Sequence, residues 1–172
     1  MKIIEAMKRI KANKEKIADL QNKIKANSAY LSFETPLYPD TKAKIREWAQ
    51  SCFDTAQENI HLLTAVARTN LATTVTITLG DAAVSKTIAE WVWRRREYAE
   101  LDMATHASMT DRGLKEGHGQ TSVPGGAPLE IKIIRNYDPD HRDKMIAIYR
   151  SEPHEIDAAL EVTNAVTDLI LN

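Results

Sequence analysis

The 172-residue chain has one cysteine and no long apolar run, and each absence removes a class of protein. Cys52 cannot form a disulfide within the chain, so cysteine usage does not indicate an oxidising compartment. No apolar stretch approaches the roughly 20 residues that a membrane-spanning helix needs. The N-terminus alternates Lys with Ile, whereas a signal peptide has an uninterrupted apolar stretch. We therefore expect a soluble protein that is cytoplasmic on synthesis, and a membrane is not the partner that these features favour.

The chain also has no large excess of positive or negative charge, since its formal net charge is -1. Such a chain has no global field that would attract nucleic acid or an anionic membrane. The two ends differ, however: residues 2–25 contain eight basic and three acidic residues, and residues 138–172 contain three basic and eight acidic ones. This complementarity predicts that the two terminal helices lie alongside each other in one fold or one assembly. A nucleic-acid patch on the first helix is the second interpretation.

Catalytic and metal-binding patterns are missing as well. The five histidines include no pair three or four residues apart, which is the spacing of a helical metal site. Cys52 falls on an apolar stripe, and the glycine-rich segments lack the sequence context of a phosphate loop. Glu116 and His118 share a loop, but polar loops often contain such pairs by chance. We expect a protein that is not an enzyme, with no catalytic residue, metal, cofactor or small-molecule substrate.

What the sequence does contain is a heptad repeat at its N-terminus. The first predicted helix covers residues 2–27, with Ile at every seventh position and an alternation of apolar residues and Asn three residues after each. Two Asn on such a seam fix register, because a misaligned pairing would leave their amides buried and unpaired. The partner helix belongs either to the same chain or to another copy. The predicted interface, here called the isoleucine seam, comprises Ile3, Ile10, Asn13, Ile17, Leu20 and Ile24.

The rest of the chain predicts a mainly α protein: an antiparallel long-helix hairpin or helical bundle with a small two-stranded β ribbon, in a single domain of residues 1–172. A connector of residues 28–40 contains three aromatic residues that are expected to anchor it, and Asp40 or Thr41 begins a second helix that ends near residue 67. Strands at 71–79 and 129–135 are expected to pair with each other. A third helix covers 85–109, a Gly/Pro-rich loop insertion covers 113–128, and a final helix covers 139–171 with an interruption at Pro153. The apolar stripe of the second helix is interpreted as Ile45, Trp48, Cys52, Ala56, Leu63 and Val66, with Ile60 beside it.

A cluster of three consecutive arginines, Arg94, Arg95 and Arg96, follows two tryptophans in the third predicted helix. Basic residues interleaved with aromatic ones can bind phosphate and stack on nucleobases, so the cluster is a candidate anion or nucleic-acid contact. Arg95 and Asp102 also share a helix face with apolar residues. A core or interface stripe that contains an Arg and Asp pair is the simpler interpretation.

Three local strings stand out in the second half of the chain and at the end of the second predicted helix. They are Ile156-Asp157-Ala158-Ala159-Leu160 followed by Asn164, Thr167, Asp168 and Leu169, together with Arg68-Thr69-Asn70 and Leu129-Glu130-Ile131. These strings resemble the septicolysin family of small helical proteins from bacteria and phages. The resemblance is spread over nearly the whole chain. We expect the polar residues within and near these strings to be architectural, fixing how helices and strand ends join, and they are Arg68, Asn70, Asp157, Asn164 and Thr167.

These observations favour a non-enzymatic structural protein that forms a homo-oligomer. The resemblance to a family with phage-borne members implies a virion component, with other virion proteins as partners and the virion as its final location. A membrane-acting protein is one alternative, implied by the cytolysin in the family's name. A nucleic-acid adaptor that binds through Arg94, Arg95 and Arg96 is another.

Overall fold

The computed structural model describes residues 1–119, 126 and 129–171. The chain forms two compact units: the first contains Met1–Val75, Ser85–Ala89 and Ala159–Asn172, and the second contains Thr76–Val84 and Glu90–Ala158. Most described residues are helical, which confirms the predicted fold class. The elements are α1 (Ile3–Asn27), α2 (Thr41–Ala72), β1 (Thr74–Leu79), β2 (Ala82–Thr87), α3 (Ile88–Trp93), a π-helical segment (Arg94–Tyr98), α4 (Ala99–Ala107), β3 (Gly117–Gly119), β4 (Leu129–Ile131) and α5 (Pro139–Val166).

Helices α1 and α2 pack against each other as the predicted antiparallel hairpin. The carboxylate of Asp40 accepts a hydrogen bond from the N–H of Ala43 at 2.9 Å, so Asp40 is the N-cap of α2. The helix runs five residues beyond its predicted end. Thr55, Asn59 and Thr69 are buried on the face of α2 that packs on α1, together with Trp48 and Ala65.

The two chain ends meet in the first unit. The N–H of Ile3 donates to the carbonyl of Thr167 at 3.0 Å, and the N–H of Leu169 donates to the carbonyl of Met1 at 2.9 Å. The ammonium of Lys2 binds the carboxylate of Asp168 at 2.6 Å. The basic and acidic ends of the sequence therefore touch at this ion pair. The prediction that the two terminal helices lie alongside each other is wrong, because among the described elements α1 packs along α2 and not along α5.

The predicted pairing of residues 71–79 with 129–135 is wrong. Strand β1 pairs with β2, from which it is separated by two residues, and β4 pairs with β3 in an antiparallel register that places His118 opposite Glu130. Gly80 lies between β1 and β2 with φ of 59°, a left-handed conformation that glycine adopts without steric cost. A two-residue connection closes a hairpin at a lower entropic cost than a long one, which favours the local pairing.

Two helix predictions also need correction. The third helix begins at Ile88, not at residue 85, because residues 82–87 form β2. Helix α5 continues through Pro153 and does not start anew there. It ends at Val166, not at residue 171, because the backbone that follows bonds to the N-terminal residues. Within the described residues, none of the helices is long and apolar enough to cross a lipid bilayer.

Candidate interaction surface on the second helix

The face of α2 that packs on α1 follows a heptad repeat without a break. Counting alternate steps of three and four from Ile45 gives eight positions, all of them buried or half-buried: Ile45, Trp48, Cys52, Thr55, Asn59, Leu62, Val66 and Thr69. This regularity is what packing against a single partner helix requires. The partner is α1 of the same chain.

A second apolar stripe on α2 is displaced from the first by one residue throughout. We call it the outer stripe, and it comprises Ala49, Phe53, Ala56, Ile60, Leu63 and Ala67. Each of its members directly follows a residue of the α1-facing seam, so the stripe is turned by about 100° around the helix axis. The helix therefore carries two heptad-spaced apolar faces.

The outer stripe is largely uncovered. Phe53, Ile60 and Leu63 are 59%, 52% and 50% exposed, and Ala49 and Ala67 are also exposed. A solvent-facing helix surface normally carries charged and polar side chains. Single exposed apolar residues are common on protein surfaces, but a contiguous set at heptad spacing marks an interaction surface.

The opposite side of the hairpin is polar and closed by hydrogen bonds. The guanidinium of Arg9 binds the carboxylate of Glu58 at 3.0 Å, and the amide of Asn13 donates to Glu58 and to the side-chain oxygen of Asn59, both at 3.0 Å. The hydrogen bond from Arg9 and then that from Asn13 lower the pKa of Glu58. On α1 the positions that directly follow seam residues include the half-exposed Met7, but also the exposed Lys11, Lys14 and Gln21. The uncovered apolar surface therefore lies on α2, not on both helices of the hairpin.

The isoleucine seam packs within the chain. Ile3, Ile10, Asn13 and Leu20 are buried, whereas Ile17 and Ile24 are half-buried, all in α1 where it contacts α2. The sequence left open whether the partner helix belonged to this chain or to another copy. The structure places it in this chain, where α2 covers four seam residues fully and Ile17 and Ile24 in part.

The residues predicted to be architectural have different environments. The backbone carbonyl of Thr167 accepts a hydrogen bond from the N–H of Ile3. Thr69, which lies between the predicted residues Arg68 and Asn70, accepts a hydrogen bond at its hydroxyl from the N–H of Ile170 at 2.9 Å. Thr69 is fully buried, so this bond ties the C-terminal segment to α2. No residue pattern distinguishes Thr69 from Arg68 and Asn70 on either side of it.

The remaining architectural residues are less uniform. The side-chain oxygens of Asn70 and Asn164 are buried and have no hydrogen-bond partner among the described residues. Arg68 is exposed and lines a surface pocket of about 430 Å³. Asp157 forms an ion pair with Arg95 in the second unit.

Two of the three clustered arginines form ion pairs with acidic side chains. Arg94 binds Glu152 and also Asp102, at 2.6 and 2.5 Å, and Arg95 binds Asp157. Arg96 is exposed. The predicted pairing of Arg95 with Asp102 is wrong, because Asp102 binds Arg94 and Arg95 binds Asp157. Glu152 could not be predicted as a partner, since no helical spacing connects residues 94 and 152.

A second polar network lies at the base of the β3 and β4 hairpin. Asp111 accepts two hydrogen bonds from Arg135, at 2.8 and 2.6 Å, and one from the hydroxyl of Tyr137 at 3.0 Å. The bond from Arg135 is the largest cause that lowers the pKa of Asp111. Arg142 donates to the same hydroxyl and to the carbonyl of Met109. The network joins both ends of the hairpin segment to the start of α5, and the sequence pattern did not single it out.

Chemistry-bearing clusters are sparse. Among the described residues, no group of three His, Cys, Asp or Glu side chains is arranged to hold a metal ion. The carboxylate of Glu116 accepts the N–H of Ile133 at 3.3 Å, and His118 is exposed on β3. Part of the Gly/Pro-rich loop, residues 120–125, 127 and 128, lies outside the described residues.

No protein-family model, curated protein or solved structure matches the chain. The septicolysin resemblance therefore stays a prediction. The described elements define a mainly helical protein in which α2 carries an uncovered apolar stripe.

Proposed function

We propose that the chain is a non-enzymatic assembly protein that forms a homo-oligomer through the outer stripe of α2. The observation that carries this proposal is the second heptad-spaced apolar face, with Phe53, Ile60 and Leu63 half exposed. The interface thus differs from the one predicted by sequence, because α2 of the same chain covers the isoleucine seam.

A second copy of the hairpin is the partner that best fits this face. Heptad spacing suits a helix, and the outer stripe adjoins the seam between α1 and α2, so two hairpins packed side by side extend one continuous core into a four-helix bundle. Small and large residues alternate from Ala49 to Ile60, which lets side chains of a facing helix interdigitate. The residues that directly follow the members of the stripe are mostly uncharged, with one acid and one base among them: Gln50, Asp54, Gln57, His61, Thr64 and Arg68.

The mass in solution tests the proposal. Light scattering after size exclusion at micromolar concentration is expected to give a multiple of the 19.3 kDa chain mass. Ile60→Asp places one carboxylate per copy in the interface and is expected to weaken association by at least about 100-fold, since a buried unpaired charge costs more than about 3 kcal/mol. The matched control is His61→Asp, which adds the same acid at the next, exposed position, turned about 100° from Ile60.

Two results would overturn the proposal. A wild-type protein that stays monomeric at micromolar concentration has no such interface. An oligomer whose mass is unchanged by Ile60→Asp assembles through another surface. Circular dichroism of both variants must show wild-type helicity, which is expected because Ile60 is half exposed in the single chain.

We further propose that the assembly belongs to a phage particle, on the strength of the septicolysin resemblance. Mass spectrometry of purified particles from a lysogen that encodes the chain tests this, and the proposal requires the protein in stoichiometric amounts. The nucleic-acid alternative has less support, because Arg94 and Arg95 are paired with carboxylates of the same chain.

A further inference from the structure

The connector between α1 and α2 exposes large apolar side chains at the end of the hairpin. Phe33 and Leu37 are 82% and 76% exposed, and Tyr30 and Leu31 are more than half exposed. We call these four residues the connector tip. The expectation that all three aromatics anchor the connector is wrong for Tyr30 and Phe33. Tyr38 does pack, with its ring 5.3 Å from that of Trp48 in an edge-to-face contact.

Phe33 is exposed because it lies in a tight turn. The N–H of Glu34 donates to the carbonyl of Leu31 at 2.9 Å, and the N–H of Leu31 donates to the carboxylate of Glu34 at 2.7 Å. This pair of bonds closes the turn at both ends, with Phe33 at its apex. The hydroxyl of Thr41 donates to the carbonyl of Tyr38 at 3.0 Å and ties down the other end of the connector.

Positive charge surrounds the connector tip. Lys23 and Lys25 lie near the end of α1, and Lys42 and Arg46 lie near the start of α2, all of them exposed. Within the described part of the chain these four side chains form no ion pair. At about 1.5 Å of rise per residue, each lies within about 8 Å, along the helix axis, of the helix end that it adjoins. We call these four residues the basic collar.

The nearby acidic groups offset the collar only in part. The carboxylate of Glu34 is bound to the backbone of the turn and that of Asp40 caps α2, and both keep their negative charge. Glu47 pairs with Lys44, which is not part of the collar. Residues 23–47 contain five basic and three acidic side chains, so an approaching anionic surface meets a local net charge of +2.

We propose that the connector tip docks on an anionic lipid surface, with its apolar side chains in the interfacial region and the basic collar at the phosphate level. Apolar side chains flanked by Lys and Arg are the combination that binds such interfaces. A second copy of the chain fits less well, because the tip has no repeating spacing, and a fluid bilayer, unlike a protein partner, needs no complementary shape. No described helix could cross the bilayer, so docking is peripheral.

Sedimentation with vesicles tests this proposal. The full chain is expected to bind vesicles of phosphatidylcholine with about 30% phosphatidylserine and to bind pure phosphatidylcholine weakly, because each collar cation contributes about fivefold in affinity for an anionic surface. Phe33→Ser with Leu37→Ser is expected to reduce binding at least about tenfold, through lost apolar burial. Lys25→Gln with Lys42→Gln is expected to reduce it about 30-fold on anionic vesicles, with little change on neutral ones.

The matched control is Ile134→Ser, which removes an apolar side chain as exposed as Phe33 from the second unit. It is expected to bind vesicles as the wild type does. No binding by the wild type, equal binding by the tip variant, or an equal loss in the control would each overturn the proposal. A tip variant that changes the oligomer mass would also overturn it, since a second copy would then cover the tip. The Ile60→Asp variant is expected to bind through each tip, so failure of the assembly proposal and failure of this one are distinguishable.

Discussion

The guanidinium of Arg94 forms two hydrogen bonds with the fully buried carboxylate of Glu152, at 2.7 and 2.6 Å. A third bond, at 2.5 Å, joins Arg94 to Asp102, and the ring of Tyr149 lies 5.7 Å from the guanidinium carbon. The hydrogen bonds to Glu152 and then to Asp102 raise the pKa of Arg94. One cation thus holds a buried acid from α5 and an acid from α4.

Arg94→Ala is expected to lower the free energy of unfolding by about 3 to 5 kcal/mol, because it leaves the carboxylate of Glu152 buried and unpaired. Urea denaturation followed by circular dichroism measures this. Arg96→Ala, at an exposed position of the same segment, is the control and is expected to stay within about 0.5 kcal/mol of wild type. Equal losses in the two variants would contradict a special role for the buried pair. Replacing both Arg94 and Glu152 by Leu is expected to restore most of the stability.

The buried amides of Asn13 and Asn59 predict a second stability effect, in the hairpin of the first unit. Asn13→Leu leaves the side-chain oxygen of Asn59 buried without its donor, which is expected to cost about 1 to 3 kcal/mol. Adding Asn59→Leu is expected to return the stability to the wild-type value or above, since an apolar seam needs no amide pair. A double-mutant cycle in urea measures the coupling. Asn22→Leu, on the exposed side of α1, is the control, and additivity of the two seam changes would refute the pairing.

Acid is expected to weaken the same hairpin through Glu58. Its pKa is lowered in the folded chain, so it contributes stability above its ordinary value of 4.5 and loses this contribution as the pH falls through the folded value. The thermal midpoint of the wild type should therefore fall more steeply below pH 4.5 than that of Glu58→Gln. Because Arg9 and Glu58 are both partly exposed, the difference should shrink in high salt. Parallel pH profiles would show that the pair contributes nothing.

The sequence predicted the hairpin well because the isoleucine seam repeats every seven residues over the whole of α1. It failed at β2, where Ala82–Thr87 offers Val84 as its one large apolar residue and so lacks a visible alternation. Strand β3, with three residues and two glycines, gave no signal either. In both hairpins each strand pairs with the next strand along the chain, because a short connection costs less entropy to close than a long one. The pattern of apolar and polar residues carries no information about this cost.

The two candidate surfaces were harder to predict for a different reason. Ala56 and Leu63 were assigned to the same stripe as Trp48, because positions 100° apart on a helix can be separated only once the partner helix is known. The connector tip was missed because aromatic residues in a Pro-containing loop usually anchor it. The basic collar was not predicted because the net charge of -1 is summed over the whole chain and does not show a local excess of basic residues.

Thiol accessibility provides a direct test of where the outer stripe lies in the assembly. In a Cys52→Ser background, Ile60→Cys keeps a small apolar side chain in the stripe, and His61→Cys places a thiol at the next position. If copies pack through the stripe, maleimide labelling of Ile60→Cys should slow as the protein concentration rises through the range of association, because the thiol becomes buried. Labelling of His61→Cys should keep a constant rate. The same concentration dependence at both positions would place the interface on another face of α2, and no dependence at either would remove α2 from the interface.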